Sequence, residues 1–239
     1  MSYRDFKKQV DLSKAALCRE ALARHPDTIR VKKEATVVRN LEKIFAAALR
    51  IANRRGFSAM TMRDLSAETG LSMGALYAYF SSKEDLLAML QDQRRQVTRR
   101  ILEERLAAAE GPLERLRTAV RAHLYLSEAM QPWFFFAYME ARHLPPAERE
   151  KTLAGELETE TLFADLLAAA IDAGTLAPRD PRLFAALIKA MLQDWYLKRW
   201  KYARRRVTVD RYAEELLAVI ENYGRALGSA DTGKTVDRA

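Results

Sequence analysis

Cysteine is almost absent from this chain of 239 residues. Cys18 stands alone, so no disulfide within the chain is possible, and a reducing compartment is expected. Histidine is scarce too. His25, His123 and His143 lie far apart, and neither C-x-x-C nor H-E-x-x-H occurs. The ligand spacings of a zinc site are therefore missing, and no metal and no cofactor are expected. Nine glycines and seven prolines are few for a sandwich, a barrel or an α/β fold with many tight turns. The uncharged apolar run 129–139 is well short of a membrane span, so no membrane contact is expected. The first residues, Met1-Ser2-Tyr3-Arg4-Asp5, lack the apolar core of a secretory signal. The expected location is the cytoplasm, in association with the nucleoid.

Charge is plentiful but uneven. The chain carries 40 lysines and arginines against 32 acids, a net charge of +8. Residues 1–83 hold 16 basic and 8 acidic side chains, while 84–239 hold 24 of each. The whole excess lies in the N-terminal third, which localises a polyanion-binding face there.

Nearly every segment reads with helical period, and no period-2 strand stands out. Helices are expected over 11–25, 36–55, 61–69, 72–80 and a long stretch after Ser82. The second half continues with 112–130, an aromatic helix around 133–138, then 146–174, 181–204 and 208–227. Gly56 and Gly70 are natural stops, and Thr61, Ser72, Ser82 and Asp180 natural N-caps. The fold class is all-α.

Residues 61–80 carry the chemistry. Two short helices that cross steeply need small residues at the crossing, here Ser66, Ala67 and Thr69. They also need a left-handed residue between them, here Gly70. Leu65, Leu71, Leu76 and Phe80 form a small core. The second helix starts at Ser72 and is expected to expose Met73, Gly74, Ala75, Tyr77 and Tyr79 to a major groove. Gly70-Leu71-Ser72-Met73-Gly74 also satisfies G-x-S-x-G, the hydrolase nucleophile elbow. That motif needs a strand before its serine, and a helix precedes it here, so Ser72 reads as a cap and no enzyme activity is expected.

The segment resembles the DNA-binding domain of the tetracycline-repressor (TetR/AcrR-type) family of bacterial transcription regulators. Its pattern runs T-x-x-x-I-A-x-x-A-G-V-S-x-G-x-x-Y-x-H/Y-F-x-x-K-x-x-L. The chain matches it at Thr61, Leu65, Gly70, Leu71, Ser72, Gly74, Tyr77, Tyr79, Phe80, Lys83 and Leu86, and departs at Ser66 and Thr69, where the family prefers alanine. The resemblance implies about nine helices. They would comprise a three-helix helix-turn-helix domain over 36–83 and a helical regulatory and dimerisation domain over 84–228. A basic extension, 1–35, precedes them, and a flexible tail, 229–239, follows. It implies that Thr61, Tyr77 and Lys83 hold phosphates, with Ser72 at the helix start. It further implies that Arg63, Met73, Ala75 and Tyr79 face base edges, with Gly74 admitting the backbone. Met73 and Ala75 offer only apolar contact, to a thymine methyl for instance.

It also implies a homodimer through 181–204 and 208–227, bound to a palindromic double-stranded operator, and a small effector that releases it. His123, Phe135, Tyr138, Met139, Met191 and Trp195 are the expected lining of an apolar effector pocket. The alternative is an architectural or accessory DNA-binding protein without an effector. Arg30, Lys32 and Lys33 are placed for an arm along DNA; the alternatives are a solvated, frayed segment or a short helix packed on the domain. The basic run 198–206 reads instead as a helix end whose cations pair with acids.

Overall fold

The computed structural model describes residues 1–177 and 180–230, with the backbone alone over 225–230. Among the described residues there are twelve α-helices and no strand. The helices are α1 (Tyr3–Gln9), α2 (Lys14–Arg24), α3 (Glu34–Arg55), α4 (Met62–Thr69), α5 (Met73–Leu76) and α6 (Lys83–Ala107). They continue with α7 (Pro112–Ala129), α8 (Gln131–Glu140), α9 (Pro146–Asp172), α10 (Pro181–Leu197), α11 (Arg199–Arg204) and α12 (Val209–Ala230). The excess over nine has local causes. The extension, outside those nine, adds two helices, α1 and α2, where one was expected. The expected helix 181–204 is broken, and 229–230, expected in the flexible tail, continue α12. The rest of that tail, 231–239, lies outside the described residues. None of the described helices is long and apolar enough to cross a membrane.

The chain divides into two compact units. One comprises Lys7–Thr98 with Ala129–Ala154. Its core is built on α3, whose Leu41, Ile44, Phe45, Ala48 and Ile51 repeat at helical spacing and are all buried. Gly56 ends α3 at φ +85°, a conformation glycine adopts without Cβ strain. Leu65, Leu76, Phe80, Leu86 and Leu90 close onto that face with no exposed surface. Each such side chain stabilises the unit by on the order of 2 kcal/mol. From α8, Trp133 meets Phe45 edge-on at 5.5 Å and Phe136 meets Phe57 at 5.9 Å.

The other unit comprises Met1–Phe6, Arg99–Glu128 and the chain from Gly155. Its core gathers Leu116, Val120 and Leu124 of α7, Phe163 and Leu167 of α9, Ile188, Leu192 and Trp195 of α10, and Ile220 of α12. Asp180 caps α10 by accepting from the Leu183 amide, and Pro181 takes the first turn, where no amide is needed. The break at Lys198 is held by charge. Asp194 gathers the ammonium groups of Lys198 and Lys201, each at 2.6 Å, and the Tyr202 hydroxyl. Arg199 turns onto Glu128 at 2.8 and 3.0 Å and lies 4.7 Å from the Trp195 ring. Three cations of the basic run 198–206 are thus engaged by acids, as the sequence suggests.

Candidate nucleic-acid interface

The site is built on two local devices. At the first, Thr61 and Asp64 form a capping box. Thr61 Oγ1 accepts from the Asp64 amide at 3.1 Å, and the Asp64 carboxylate accepts from the Thr61 amide at 2.8 Å and hydroxyl at 2.7 Å. Arg55 closes on the same carboxylate at 2.7 Å. Hydrogen bonds from Arg55 and Thr61 hold that carboxyl well below the usual carboxylate range. The start of α4 is therefore tied to the end of α3.

The second device is the turn. Gly70 sits at φ +70°, ψ 13° and stops α4. A Cβ would meet no atom there, but the left-handed backbone itself would cost an alanine about 1 kcal/mol. The two departures from the family pattern both fasten this turn. Ser66 Oγ donates to the Leu71 carbonyl at 2.6 Å. Thr69 Oγ1 donates to the Leu65 carbonyl at 2.7 Å and accepts from the Leu71 amide at 3.2 Å. Ser72 then caps α5 by accepting from the Ala75 amide at 3.2 Å. The serine of the G-x-S-x-G pattern thus stands after a helix and a turn, with its hydroxyl committed to a cap.

The expected helix 72–80 is shorter than its sequence pattern. α5 spans Met73–Leu76, after which bonding tightens to i→i−3, from Ala78 to Ala75 and from Tyr79 to Leu76. Thr61, Arg63, Ser72, Gly74 and Tyr77 are exposed, and Met73 and Ala75 are half-buried. These seven residues lie in the two short helices and the turns beside them.

Two expected contacts are corrected. Tyr79 is 1% exposed, and its hydroxyl accepts from Asn40 Nδ2 of α3 at 2.8 Å, so its ring belongs to the core and not to a base edge. Leu76, Tyr79 and Phe80 fall at i, i+3 and i+4, the signal that marks them as one buried face. Lys83, expected on a phosphate, is half-buried. Its ammonium lies 3.2 Å from the carbonyls of Ser58 and Met60, 3.5 Å from that of Phe57 and 5.3 Å from the Phe57 ring centre. It ties the loop after α3 to the start of α6.

Residues 7–35 of the extension belong to the same unit. Ile29 is buried, and the Arg30 amide donates to the Ala78 carbonyl at 2.8 Å, directly beside the turn that ends α5. Upstream, Arg24 contacts Asp92 at 3.2 Å and also Gln93, while His25 lies 3.5 Å from Asp92. Burial works against the charge on Asp92, but His25, Arg95 and Arg24 outweigh it and hold the carboxyl well below its usual range. Arg30, Lys32 and Lys33 remain exposed. A short helix packed on the domain is one of the sequence readings of the extension; its partners Asp92 and Ala78 are not legible there, because they are remote in the chain.

The six residues expected around an effector do not assemble in one unit. Phe135, Tyr138 and Met139 belong to the unit built on α3, with Tyr138 and Met139 exposed. His123, Met191 and Trp195 belong to the other. There His123 is buried, 6.3 Å from the Phe163 ring. Trp195 stacks on Tyr202 at 4.9 Å and donates to Glu128 at 3.1 Å. The Met191 carbonyl accepts from Tyr212 at 2.7 Å.

Residues 44–90 match the family of bacterial regulatory proteins described as the tetR family, and 109–221 match the tetracyclin repressor-like C-terminal domain. The chain is 24% identical over 192 residues to the HTH-type transcriptional regulator HbdR of Aromatoleum sp. (strain CIB), covering 80% of this chain and 84% of HbdR. Its fold is similar to the TetR family transcriptional regulator PfmR from Thermus thermophilus, with a TM-score of 0.64 at 26% identity over 77% of this chain and 97% of PfmR. It is also similar in fold to AibR, solved with isovaleryl coenzyme A and operator DNA. There the TM-score is 0.66 at 21% identity, over 74% of this chain and 95% of AibR.

Proposed function

Because the chain belongs to the TetR family of bacterial transcriptional regulators, we propose that it is a ligand-responsive repressor that binds a palindromic operator as a homodimer. The observation that carries this reading is the surface made by the turn and α5. Arg63, Ser72, Gly74 and Tyr77 are exposed there, while Leu65, Leu76 and Phe80 hold the two short helices from beneath. Arg63 is the residue with the donors to read a base edge. The Ser72 and Tyr77 hydroxyls and the α5 amides approach phosphates, while the Thr61 hydroxyl, whose proton goes to Asp64, holds the start of α4 in place. With few polar readers in α5, part of the sequence preference comes from DNA shape. Arg30, Lys32 and Lys33 extend the cationic track along the backbone.

Dimerisation is supported by α10 and α12. Leu183 and Leu187 lie one turn apart on α10, and Val219 and Tyr223 one turn apart on α12; all four are at least two-fifths exposed. A homodimer of this kind reads two half-sites on successive major grooves, about 34 Å apart. The effector is a small, largely apolar molecule. It favours a dimer whose α5 spacing no longer fits the operator, a shift between existing states. The coenzyme A thioester bound by AibR, a neighbour in fold, supports an acyl compound as the class to try first.

The test is binding of the purified protein to the DNA upstream of its own coding sequence, against scrambled DNA, across a salt series. Selective binding with a steep salt slope is expected. Absence of binding to either DNA at low salt overturns the reading.

A further inference from the structure

A cleft of about 640 Å³ opens within the unit that carries the helix-turn-helix. Its walls come from three helices. Leu17 and Cys18 of α2 form one wall, Phe45 and Leu49 of α3 the floor, and Trp133 of α8 with Met130 before it the far side. The size is that of a small-molecule site, and the lining is apolar as such sites are. Burial pushes the Cys18 thiol up to about 12, so at neutral pH it is an uncharged part of the wall and no nucleophile.

Charge at the mouth is one-sided. Lys14, Arg50 and Arg54 stand at the cleft against a single acid, Glu42. Arg50 is paired with Glu68 at 2.8 Å. Lys14 and Arg54 are exposed, and among the described residues neither is placed in an ion pair. Asn53 is spent on the Pro132 carbonyl at 2.9 Å, joining α3 to α8 beside the mouth. An apolar trough whose border carries two exposed cations outside any ion pair, against one acid, is complementary to a molecule with an apolar body and one anionic end.

We propose that this cleft binds an amphiphilic anion of the chain-carboxylate class, inside the DNA-binding unit itself. This deepens the effector half of the function proposed above by giving it a site that none of the six expected effector residues lines. The same geometry supplies its consequence. α2, which forms one wall, ends at Arg24 and His25, and the chain then runs to Arg30 on the Ala78 carbonyl. A ligand that lifts or seats α2 therefore moves or fixes the segment holding Arg30, Lys32 and Lys33 beside α5.

The experiment titrates the full-length protein with decanoate, decanol and decylammonium, all below their micelle concentrations, by calorimetry and tryptophan fluorescence. Decanoate is expected to bind at least about tenfold tighter than the other two. Ala46→Phe, which projects a ring into the cleft from α3, is expected to weaken decanoate about tenfold. The double variant Lys14→Glu/Arg54→Glu alters only exposed side chains and is expected to reverse the order of decanoate and decylammonium. Trp133→Phe is expected to remove most of the fluorescence response. The proposal is overturned by no binding of decanoate, or by binding that all variants leave unchanged. It is equally overturned if the cleft proves to be covered by a second copy of the chain, seen as a concentration-dependent fluorescence change without ligand. Operator binding without ligand is measured separately on the same proteins, so failure of the DNA reading and failure of this site are distinguishable.

Discussion

The side-chain amide of Asn40, in the second turn of α3, donates to the hydroxyl of Tyr79 across 2.8 Å. The two residues are remote in the chain, and the bond pins the turn after α5 to the helix that organises the core. It also satisfies the one polar atom of a ring that is otherwise fully buried. Tyr79→Phe is expected to lower stability by about 1 kcal/mol in urea unfolding while leaving the operator sequence preference unchanged. A changed preference in a binding-site selection would return Tyr79 to the base-reading set.

Arg63 and Arg30 should separate cleanly. Arg63→Ala is expected to cost about 1–3 kcal/mol on the operator and to relax preference at one base position of each half-site. Arg30→Ala is expected to weaken operator and scrambled DNA alike and to reduce the slope of affinity against salt by about one. Gel-shift series with single-base operator variants and stepped salt read both.

The Asp194 cluster makes stability depend on acid pH. Burial opposes its charge, and Lys198, Lys201 and Tyr202 overcome this, bringing the carboxyl down to about 2 from an ordinary value near 3.8. A depressed carboxyl contributes stability that is fully present above its unfolded value and is lost as pH falls through its folded one. The window is therefore about pH 4 down to pH 2. Asp194→Asn is expected to lower stability by about 1–2 kcal/mol at pH 7 and to make almost no difference near pH 2. Thermal melts of both proteins across that range measure it.

Leu183 and Leu187 test the dimer. Leu183→Glu/Leu187→Glu places two charges on an exposed apolar face and buries none in the monomer. The variant is expected to keep its helix content, sediment as a monomer and lose about a hundredfold or more in operator affinity, because only one half-site is then held. Sedimentation velocity and operator titration on one sample give both values.

Periodicity carried most of this architecture. The stripe Leu86, Leu90, Val97 and Ile101 on α6 is buried throughout, and the caps at Thr61, Ser72 and Asp180 each make the hydrogen bond their residue type suggests. Such features are legible because a cap or an amphipathic stripe involves residues within a few positions of one another. The break at Lys198 was not legible. A helix pattern runs unbroken through that stretch, and the interruption is held partly by Glu128, far away in the chain.

By itself the sequence determined the all-α class, the helix-turn-helix and the concentration of positive charge in the first third of the chain. Local spacing, turn chemistry and composition are sufficient for each. Tertiary structure alone decided that Tyr79 is core, that Lys83 holds backbone carbonyls and that the extension is anchored at Ala78 and Asp92. It alone formed the cleft against Trp133. Each of these depends on partners many helical turns away in the chain, and only the packing of α2, α3, α6 and α8 sets which of those partners meet.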